Sequence, residues 1–554
     1  MIFTKRMGHF SGVPARCPIP VLCAGVRLRW FSTTFTRPSP KLWHITISWD
    51  MFQRLKMPTL TTRTEVTAMN VVYIMTDRHN PEFSGCYGSS ITRTPHIDAL
   101  ARRGKRFDSA YCPSPLCAPS RGAMMAGRYV HEISTWDNAF PYSGVPRGWG
   151  HYFAENGVVL TTIGKLDYKP GSDAGVEDMR LAKARESLDV HTLFEEGRVQ
   201  PRYHHLHRLR EAGPASGRGE HQHDAQVAEE AVQWLMYERP QDRPWVLIVN
   251  IKQPHPGWNP PQELWDYYDP LVRTEDLDER YSEPVSRLHP FHRDFVRYTC
   301  SDLCTPEELR RGLVGYHGIC EMADRNVGRV LKAIDTENLW DSTLVAYASD
   351  HGGSMGAHRN SGMGSMYEDS IRVPLIVAGP GIESGGSEPA PVSHLDLFQT
   401  FSEALELPSP THMRGTSLLG SLRGEPGAAL PEFAISEFHG PGLPGSAFAL
   451  RSGSDKYVAC VGERPMLFDL AEDPLEMQDL AERPDASQKL ARLRRILYQV
   501  CCPEAIDQRA KADQQALREE LAKSGRLVEE LWKRGYERNP ERMIPRPELV
   551  VQKP

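Results

Sequence analysis

The chain predicts an α/β fold, and three observations carry that expectation. Continuous apolar runs at 70–75, 157–163, 245–250 and 343–349 have the length and unbroken hydrophobicity of strands buried on both faces of a parallel sheet. Amphipathic helical stretches lie between these runs, the alternation that builds a sheet covered by helices. From about residue 430 the texture changes to short strands at 447–452 and 456–460, which predicts a smaller C-terminal sheet.

Bulk properties bound what such a chain does. Its 554 residues exceed one typical core. We expect a basic leader over 1–67, a large domain over 68–425 and a C-terminal subdomain with a helical tail over 426–554. Residues 1–49 hold seven Lys and Arg and no Asp or Glu. That composition is weakly like a transit peptide, but a leader outside the folded part is the favoured reading, since Met51, Met57 and Met69 are each possible starts. No clear secretory signal is present, and a cytoplasmic location is slightly favoured. The net charge of −6 gives no reason to expect a nucleic-acid partner. No apolar run reaches the roughly 18 residues of a membrane span. The 11 cysteines form no CxxC or Cys/His zinc spacing.

Taken in order, the first run ends in Thr76-Asp77-Arg78-His79, so Asp77 stands at a strand's C-terminal end, where sites in open α/β sheets collect. A helix begins at Pro95 and stops at Gly104, and Phe107 lies in a strand leading to the next loop. Pro113, Pro115 and Pro119 keep that loop irregular, and a short helix follows until Gly127. Cys117 thus sits just before a helix N-terminus, where free N–H groups favour an anion, with Arg121 one turn along. The second run ends in Gly164-Lys165-Leu166-Asp167-Tyr168. Residues 171–224 are polar, and their irregularly spaced His204, His205, His207, His221 and His223 read as a solvated insertion and not a metal cluster. A helix over 225–237 leads to the third run, which ends in Gln253-Pro254-His255-Pro256. A histidine between two prolines at a strand end is poorly explained as core packing. A long helical pattern over 305–334 leads to the fourth run and to Asp350-His351-Gly352-Gly353. An Asp-His pair with glycines that allow close backbone approach reads as part of a metal site. The tail over 504–532 has helix-forming composition and mixed charges, read as a solvated helix.

Cys117-Ala-Pro-Ser-Arg121 followed by small and apolar residues and a glycine resembles the signature of the sulfatase family. Asp77, Lys165, Pro254-His255-Pro256, Asp350-His351-Gly and Tyr367-Glu368 follow in the family's order, so the resemblance covers about residues 70 to 485. Taken singly, Asp77 is a turn residue, Lys165 a surface residue and Cys117 a buried thiol; their joint order carries the reading. The resemblance implies an alkaline-phosphatase-like mixed sheet flanked by helices, with a smaller C-terminal antiparallel-sheet subdomain. It implies a formylglycine made from Cys117 by a formylglycine-generating enzyme, whose hydrated aldehyde is the nucleophile. It also implies one divalent cation held by Asp77, Asp350, His351 and the group derived from Cys117. Ca²⁺ suits that oxygen-rich set, with Mg²⁺ or Mn²⁺ as alternatives. Cys117, Arg121, Lys165 and His255 are then the catalytic candidates, with His255 protonating the departing alcohol.

The family pattern is broken at three places. Arg78 stands where a second aspartate is common, Asp167 where a histidine is common, and Met363 where a lysine usually helps bind sulfate. Arg78, Asp167, His358 and Arg359 are therefore the substrate-binding candidates. The Lys165-to-Tyr168 element is similar to that of arylsulfatase-K-like, glucuronate-2-sulfatase members, and the Trp136-Asp-Asn138 loop to that of choline-sulfatase-like members. The expected activity is hydrolysis of a small-molecule or carbohydrate sulfate ester, a sulfated uronate among them. A phosphonate monoester or phosphodiester hydrolase with the same site, a non-catalytic binding protein and a thiol nucleophile at Cys117 are the alternatives.

Overall fold

The central strands bury both faces, as their unbroken apolar sequences require. A computed structural model describes residues 68–194, 204–217, 221–440, 443 and 445–533 of the chain; the leader over 1–67 lies outside them. Eight strands form one sheet: β1 (Asn70–Thr76), β2 (Lys105–Tyr111), β3 (Val159–Lys165), β4 (Asp178–Lys183), β5 (Trp245–Asn250), β6 (Thr343–Ser349), β7 (Leu375–Ala378) and β8 (Gly386–Ser393). Their order is β4-β3-β5-β1-β6-β7-β2-β8, and only β7 runs antiparallel to its neighbours.

Alternation along β1 shows how the sheet is clothed. Val71, Tyr73 and Met75 join one apolar cluster and Val72 and Ile74 another, because successive side chains point to opposite faces. On the Val72 face pack α1 (Pro95–Arg103), α3 (Gln222–Gln233) and the 31-residue α4 (Pro306–Thr336), through Leu100, Val227, Val327 and Ile334. On the Tyr73 face pack α2 (Cys117–Ala126) and α5 (His394–Ala404), through Met124, Met125, Phe398 and Phe401. Start signals are local: Thr305 and Glu308 close a capping box before α4, and Ser393 and Asp396 do so before α5.

The C-terminal part holds a four-stranded antiparallel sheet in the order β12-β11-β10-β9, from β9 (Ala434–Phe438), β10 (Ala447–Ser452), β11 (Asp455–Cys460) and β12 (Met466–Asp469). Its inner residues Phe448, Leu450 and Leu467 pack against Leu493 and Leu497 of α6 (Ser487–Val500).

Two expectations are corrected. Residues 171–224 are not simply a solvated insertion, because 178–183 forms the edge strand β4. An edge strand pairs on one side only, so its polar, largely exposed residues cost little. The tail is not solvated all round either. α7 (Pro503–Lys523) buries Ile506, Ala510, Gln514 and Leu521, one stripe at helical spacing, against the small sheet and the Trp136 loop. No helix among the described residues is long and apolar enough to cross a membrane.

Candidate active site

Four neighbouring strands deliver the site. β3, β5, β1 and β6 lie side by side and parallel, so Lys165, Asn250, Asp77 and Asp350 leave the same edge of the sheet. The start of α2 closes over that edge. Cys117 is its first residue, Asn138 accepts a hydrogen bond from the Ala118 N–H at 3.1 Å, and the Ser120 hydroxyl donates to the Asp350 carbonyl. All ten residues of α2 are buried.

The Cys117 Sγ lies 3.2 Å from His351 Nε2 and 3.9 Å from Asp77 Oδ1. His351 Nδ1 is 2.7 Å from the Gly352 carbonyl, which only accepts, so Nδ1 carries a proton and Nε2 is the nitrogen that faces the cluster. Glycine at 352 is required by packing: a Cβ there would sit 2.2 Å from the Asp369 carbonyl oxygen. Asp77, Cys117, Asp350 and His351 are all buried, and their potential ligand atoms lie within 4.8 Å of one another. Two carboxylates, an imidazole and a sulfur-bearing position suit a divalent cation in number and type. The electrostatics agree with that fit: burial alone would lower the His351 imidazole, but Asp350, Cys117 and Asp77 raise it to about 9, which marks a place that calls for positive charge.

Arg121 is committed to the carboxylates. Its Nε donates to Asp350 Oδ2 at 2.8 Å, its Nη2 to Asp77 Oδ2 at 3.3 Å, and its Nη1 to the Lys165 carbonyl at 2.7 Å and Asn250 Oδ1 at 3.1 Å. One planar, multidentate guanidinium thus ties four strand ends together. The Lys165 ammonium binds Asp77 Oδ2 directly and lies 3.0 Å from Asp167 Oδ2. Burial would lower the Lys165 pKa, but Asp167 and Asp77 raise it, so the ammonium stays charged. Asp167 in turn pairs with the buried Arg185 at 2.6 Å. Burial works against the Asp77 carboxylate, yet Lys165, His255 and Arg121 hold it well below the usual range.

His255 is half-buried, and its Nδ1 donates to the Pro256 carbonyl at 2.8 Å, leaving Nε2 for exchange with a ligand. Asp224 accepts the backbone N–H groups of Lys252 and Gln253 at 2.9 and 3.0 Å and so fixes the segment that carries His255. Burial first, and then the charges of Lys165, Lys252 and Arg208, hold the His255 imidazole well below its ordinary value, against the pull of Asp77.

Asp77, Arg78, Cys117, Arg121, Lys165, Asp167, Asp350 and His351 are thus linked by direct contacts or shared electrostatics. His358 and Arg359 are engaged in other contacts. The His358 ring stacks on Tyr367 with centroids 3.8 Å apart and its Nδ1 lies 2.9 Å from Glu283. Arg359 donates to the Asp302 carbonyl and lines a cavity of about 490 Å³ with Tyr281, Cys304 and Leu309. Met363 packs against the apolar core. Asn250, Asp224 and Arg185 were not singled out from sequence, and Ser120 and Asn138 were read only as parts of the Cys117 signature and the Trp136 loop. Asn250 closes a strand and Asn138 lies in the Trp136 loop, which are positional signals; Arg185 has none, because its partner Asp167 is recognisable only in three dimensions.

Fold and site together give an α/β protein with a cysteine at a buried helix N-terminus beside a carboxylate pair suited to a cation. Comparison with known proteins makes the class specific. Residues 69–407 match the family model described as Sulfatase, and residues 356–501 match that described as N-sulphoglucosamine sulphohydrolase, C-terminal. The chain belongs to the sulfatase family and is a sulfatase-family hydrolase. It is 30% identical to a choline-sulfatase of Rhizobium meliloti (strain 1021) over 443 residues, covering 75% of this chain and 83% of that protein. It is 29% identical to human arylsulfatase K over 440 residues, covering 76% and 80%. Among solved structures it is similar in fold to a phosphonate monoester hydrolase of Agrobacterium radiobacter, with TM-score 0.63, 22% identity and coverage of 78% and 95%. It is also similar to a 2-O GAG sulfatase, with TM-score 0.60, 23% identity and coverage of 81% and 94%.

Proposed function

We propose that the chain hydrolyses a sulfate ester through a formylglycine made from Cys117, and that its substrate is a sulfated sugar, a sulfated uronate in particular. The observation that carries the chemistry is the placement of Cys117 at the α2 N-terminus, 3.2 Å from His351 and in contact with Asp77. In this reading residues 68–425 form the catalytic part, 426–554 the subdomain, and a formylglycine-generating enzyme acts on the chain during maturation. The hydrated aldehyde supplies a nucleophilic hydroxyl, and a second hydroxyl whose release of sulfate restores the aldehyde. Asp77, Asp350, His351 and the residue-117 oxygens would hold the cation, Ca²⁺ by donor type, which supplies Lewis acidity and orientation.

The chain's own residues do the rest. Lys165, kept charged by two carboxylates, stabilises negative charge that builds on the sulfate oxygens. Arg121 holds Asp77 and Asp350 at a fixed separation and is a positioning residue for both. His255 presents Nε2 toward the leaving oxygen and is the proton donor there; burial first and then neighbouring cations hold its imidazole low, and an anionic ester beside it pulls the other way, as Asp77 does.

The charge at the strand ends favours an anionic organic group over a cationic one. Lys183 pairs with Lys165 in the β4–β3 register, and Lys252 follows Asn250 at the end of β5, so three ammonium groups leave neighbouring strand ends. The likeness to arylsulfatase K, and the Lys165-to-Tyr168 element, point the same way. Turnover by formylglycine-bearing, Ca²⁺-loaded protein on four esters tests the reading. A sulfated uronate should have the highest kcat/KM, above a neutral sulfated sugar, choline sulfate and an aryl phosphonate ester. Preference for the phosphonate ester would replace sulfate as the substrate class, and no turnover of any of them would favour a binding protein.

A further inference from the structure

Arg78 is one of the three departures from the family pattern, and the structure shows what its side chain lacks. It is only 2% exposed, and its backbone adopts a left-handed φ of 70°. Both backbone polar groups are anchored: its N–H donates to Asp350 Oδ1 at 3.1 Å, and its carbonyl accepts from the Tyr316 hydroxyl at 2.6 Å. The guanidinium carbon lies 5.8 Å from the ring centroid of Trp258. Glycine at 353 makes room for the side chain, because a Cβ there would come within 2.7 Å of Arg78 Cγ.

The head group of this carefully housed side chain is unsatisfied. Nε and Nη2 are buried and have no hydrogen-bond partner among the described residues. The nearby carboxylates are occupied, Asp77 by Lys165 and Arg121 and Asp350 by Arg121 and two backbone N–H groups. Buried guanidinium N–H groups without partners carry a desolvation cost, and an anion arriving with the ligand would satisfy them. Arg78 follows Asp77 in the chain and its N–H binds Asp350, so the residue stands against the cluster that Asp77, Asp350 and His351 form with Cys117.

We infer that Arg78 binds the substrate's sulfate group, with Nε and Nη2 donating to its oxygens and supplying the positive charge that Met363 does not. A planar fork with two free N–H directions matches two oxygens of a tetrahedral oxyanion. The same substitution removes a carboxylate from the cation's neighbourhood, so the ligand's sulfate completes the charge balance that a second aspartate gives elsewhere. This inference rests on the sulfatase reading above.

Binding of inorganic sulfate to Ca²⁺-loaded Cys117→Ser protein, measured by calorimetry, tests it without turnover. Arg78→Met should weaken sulfate about tenfold to a hundredfold, the loss of charge-assisted hydrogen bonds, while the unliganded protein unfolds at the same temperature or higher. Arg78→Lys should retain part of the affinity. Equal sulfate affinity in parent and Arg78→Met would overturn the inference, and a lower unfolding temperature with that equal affinity would assign Arg78 a packing role against Trp258. If Arg78→Met does not fold, Arg78→Gln takes its place with the same expected loss. No sulfate binding by the parent would overturn this inference; if wild-type enzyme nevertheless turns over sulfate esters, the sulfatase reading survives it.

Discussion

Nε of Arg121 lies 2.8 Å from Oδ2 of Asp350 with both side chains fully buried, and the same guanidinium reaches Asp77 through Nη2 at 3.3 Å. Two carboxylates on adjacent strands would repel each other in this apolar setting; the shared cation lets both stay beside Cys117. Burial and Asp77 raise the Asp350 carboxyl, while His351, Arg121 and Lys165 pull it back.

The first prediction follows from that bridge. Arg121→Lys replaces a fork that spans both carboxylates with a single ammonium, leaving one of them without its partner. Loss of one member of a buried charge network costs about 3–5 kcal/mol, so the urea midpoint should fall markedly and turnover with it. An unchanged midpoint would show that the bridge is not needed to hold the strand ends.

A second prediction concerns Lys165. Its substitution by methionine leaves the charge on Asp77 to Arg121 alone and removes a cation from the developing sulfate charge. A loss of about 10²–10³ in kcat is expected, the usual effect of removing one such donor. Steady-state kinetics at saturating substrate checks it, with circular dichroism to confirm that the fold is retained.

Cation binding gives a third. At a Ca²⁺ concentration a hundred times its Kd the folded state should gain about 2.7 kcal/mol, read as a higher unfolding temperature that a chelator reverses. Asp350→Asn should abolish the rise. A Ca²⁺ response that survives this change would place the cation elsewhere.

The legibility of this chain was uneven for physical reasons. Asp77, Lys165, His255 and Asp350-His351 were read as a set from the order of the family's motifs, and the strands that carry them were legible because buried parallel strands are unbroken apolar runs. Cys117 was readable because prolines and a glycine frame its helix. β4 was not, since Asp178–Lys183 pairs on one side only and keeps polar residues with Met179 and Leu181 exposed. The packed face of α7 was hidden because it is built on Ala510 and Gln514, residues that carry no strong apolar signal. Arg121 was recognisable as a site residue, but its four partners come from the ends of four strands that only the fold brings together.

α7 leads to a fourth prediction. Gln514 donates to Asp137 Oδ2 at 2.6 Å and to the His439 carbonyl at 2.9 Å, and accepts from the Phe194 N–H at 2.7 Å. Asp137 lies next to Asn138, which receives the Ala118 N–H behind Cys117. Gln514→Ala leaves these groups unsatisfied, at about 1–3 kcal/mol for a buried polar partner. A drop in unfolding temperature with a smaller loss in kcat is expected; stability equal to wild type would make α7 dispensable to the loop.

A fifth concerns pH. Burial would raise Glu437, but His131 and His439 hold it down at about 2, against an ordinary 4.5. Its contribution to stability is therefore complete above pH 4.5 and is lost as the pH falls toward 2. His131 is raised above its ordinary 6.5 because Glu437 outweighs burial, so its contribution is complete below 6.5 and is lost as the pH rises through the raised value. Unfolding temperature against pH should fall on both sides, and Glu437→Gln should flatten both limbs. Parallel curves for the two proteins would contradict the assignment.

The central claim is the identity of the group at position 117, and intact mass of the tryptic peptide spanning 107–121 tests it most directly. In protein from a host with a formylglycine-generating enzyme, conversion of Cys117 makes the peptide about 18 Da lighter than the dithiol form, with Cys112 still a thiol as internal reference. The account predicts that lighter peptide in active protein. An unmodified Cys117 in protein that hydrolyses sulfate esters would contradict it.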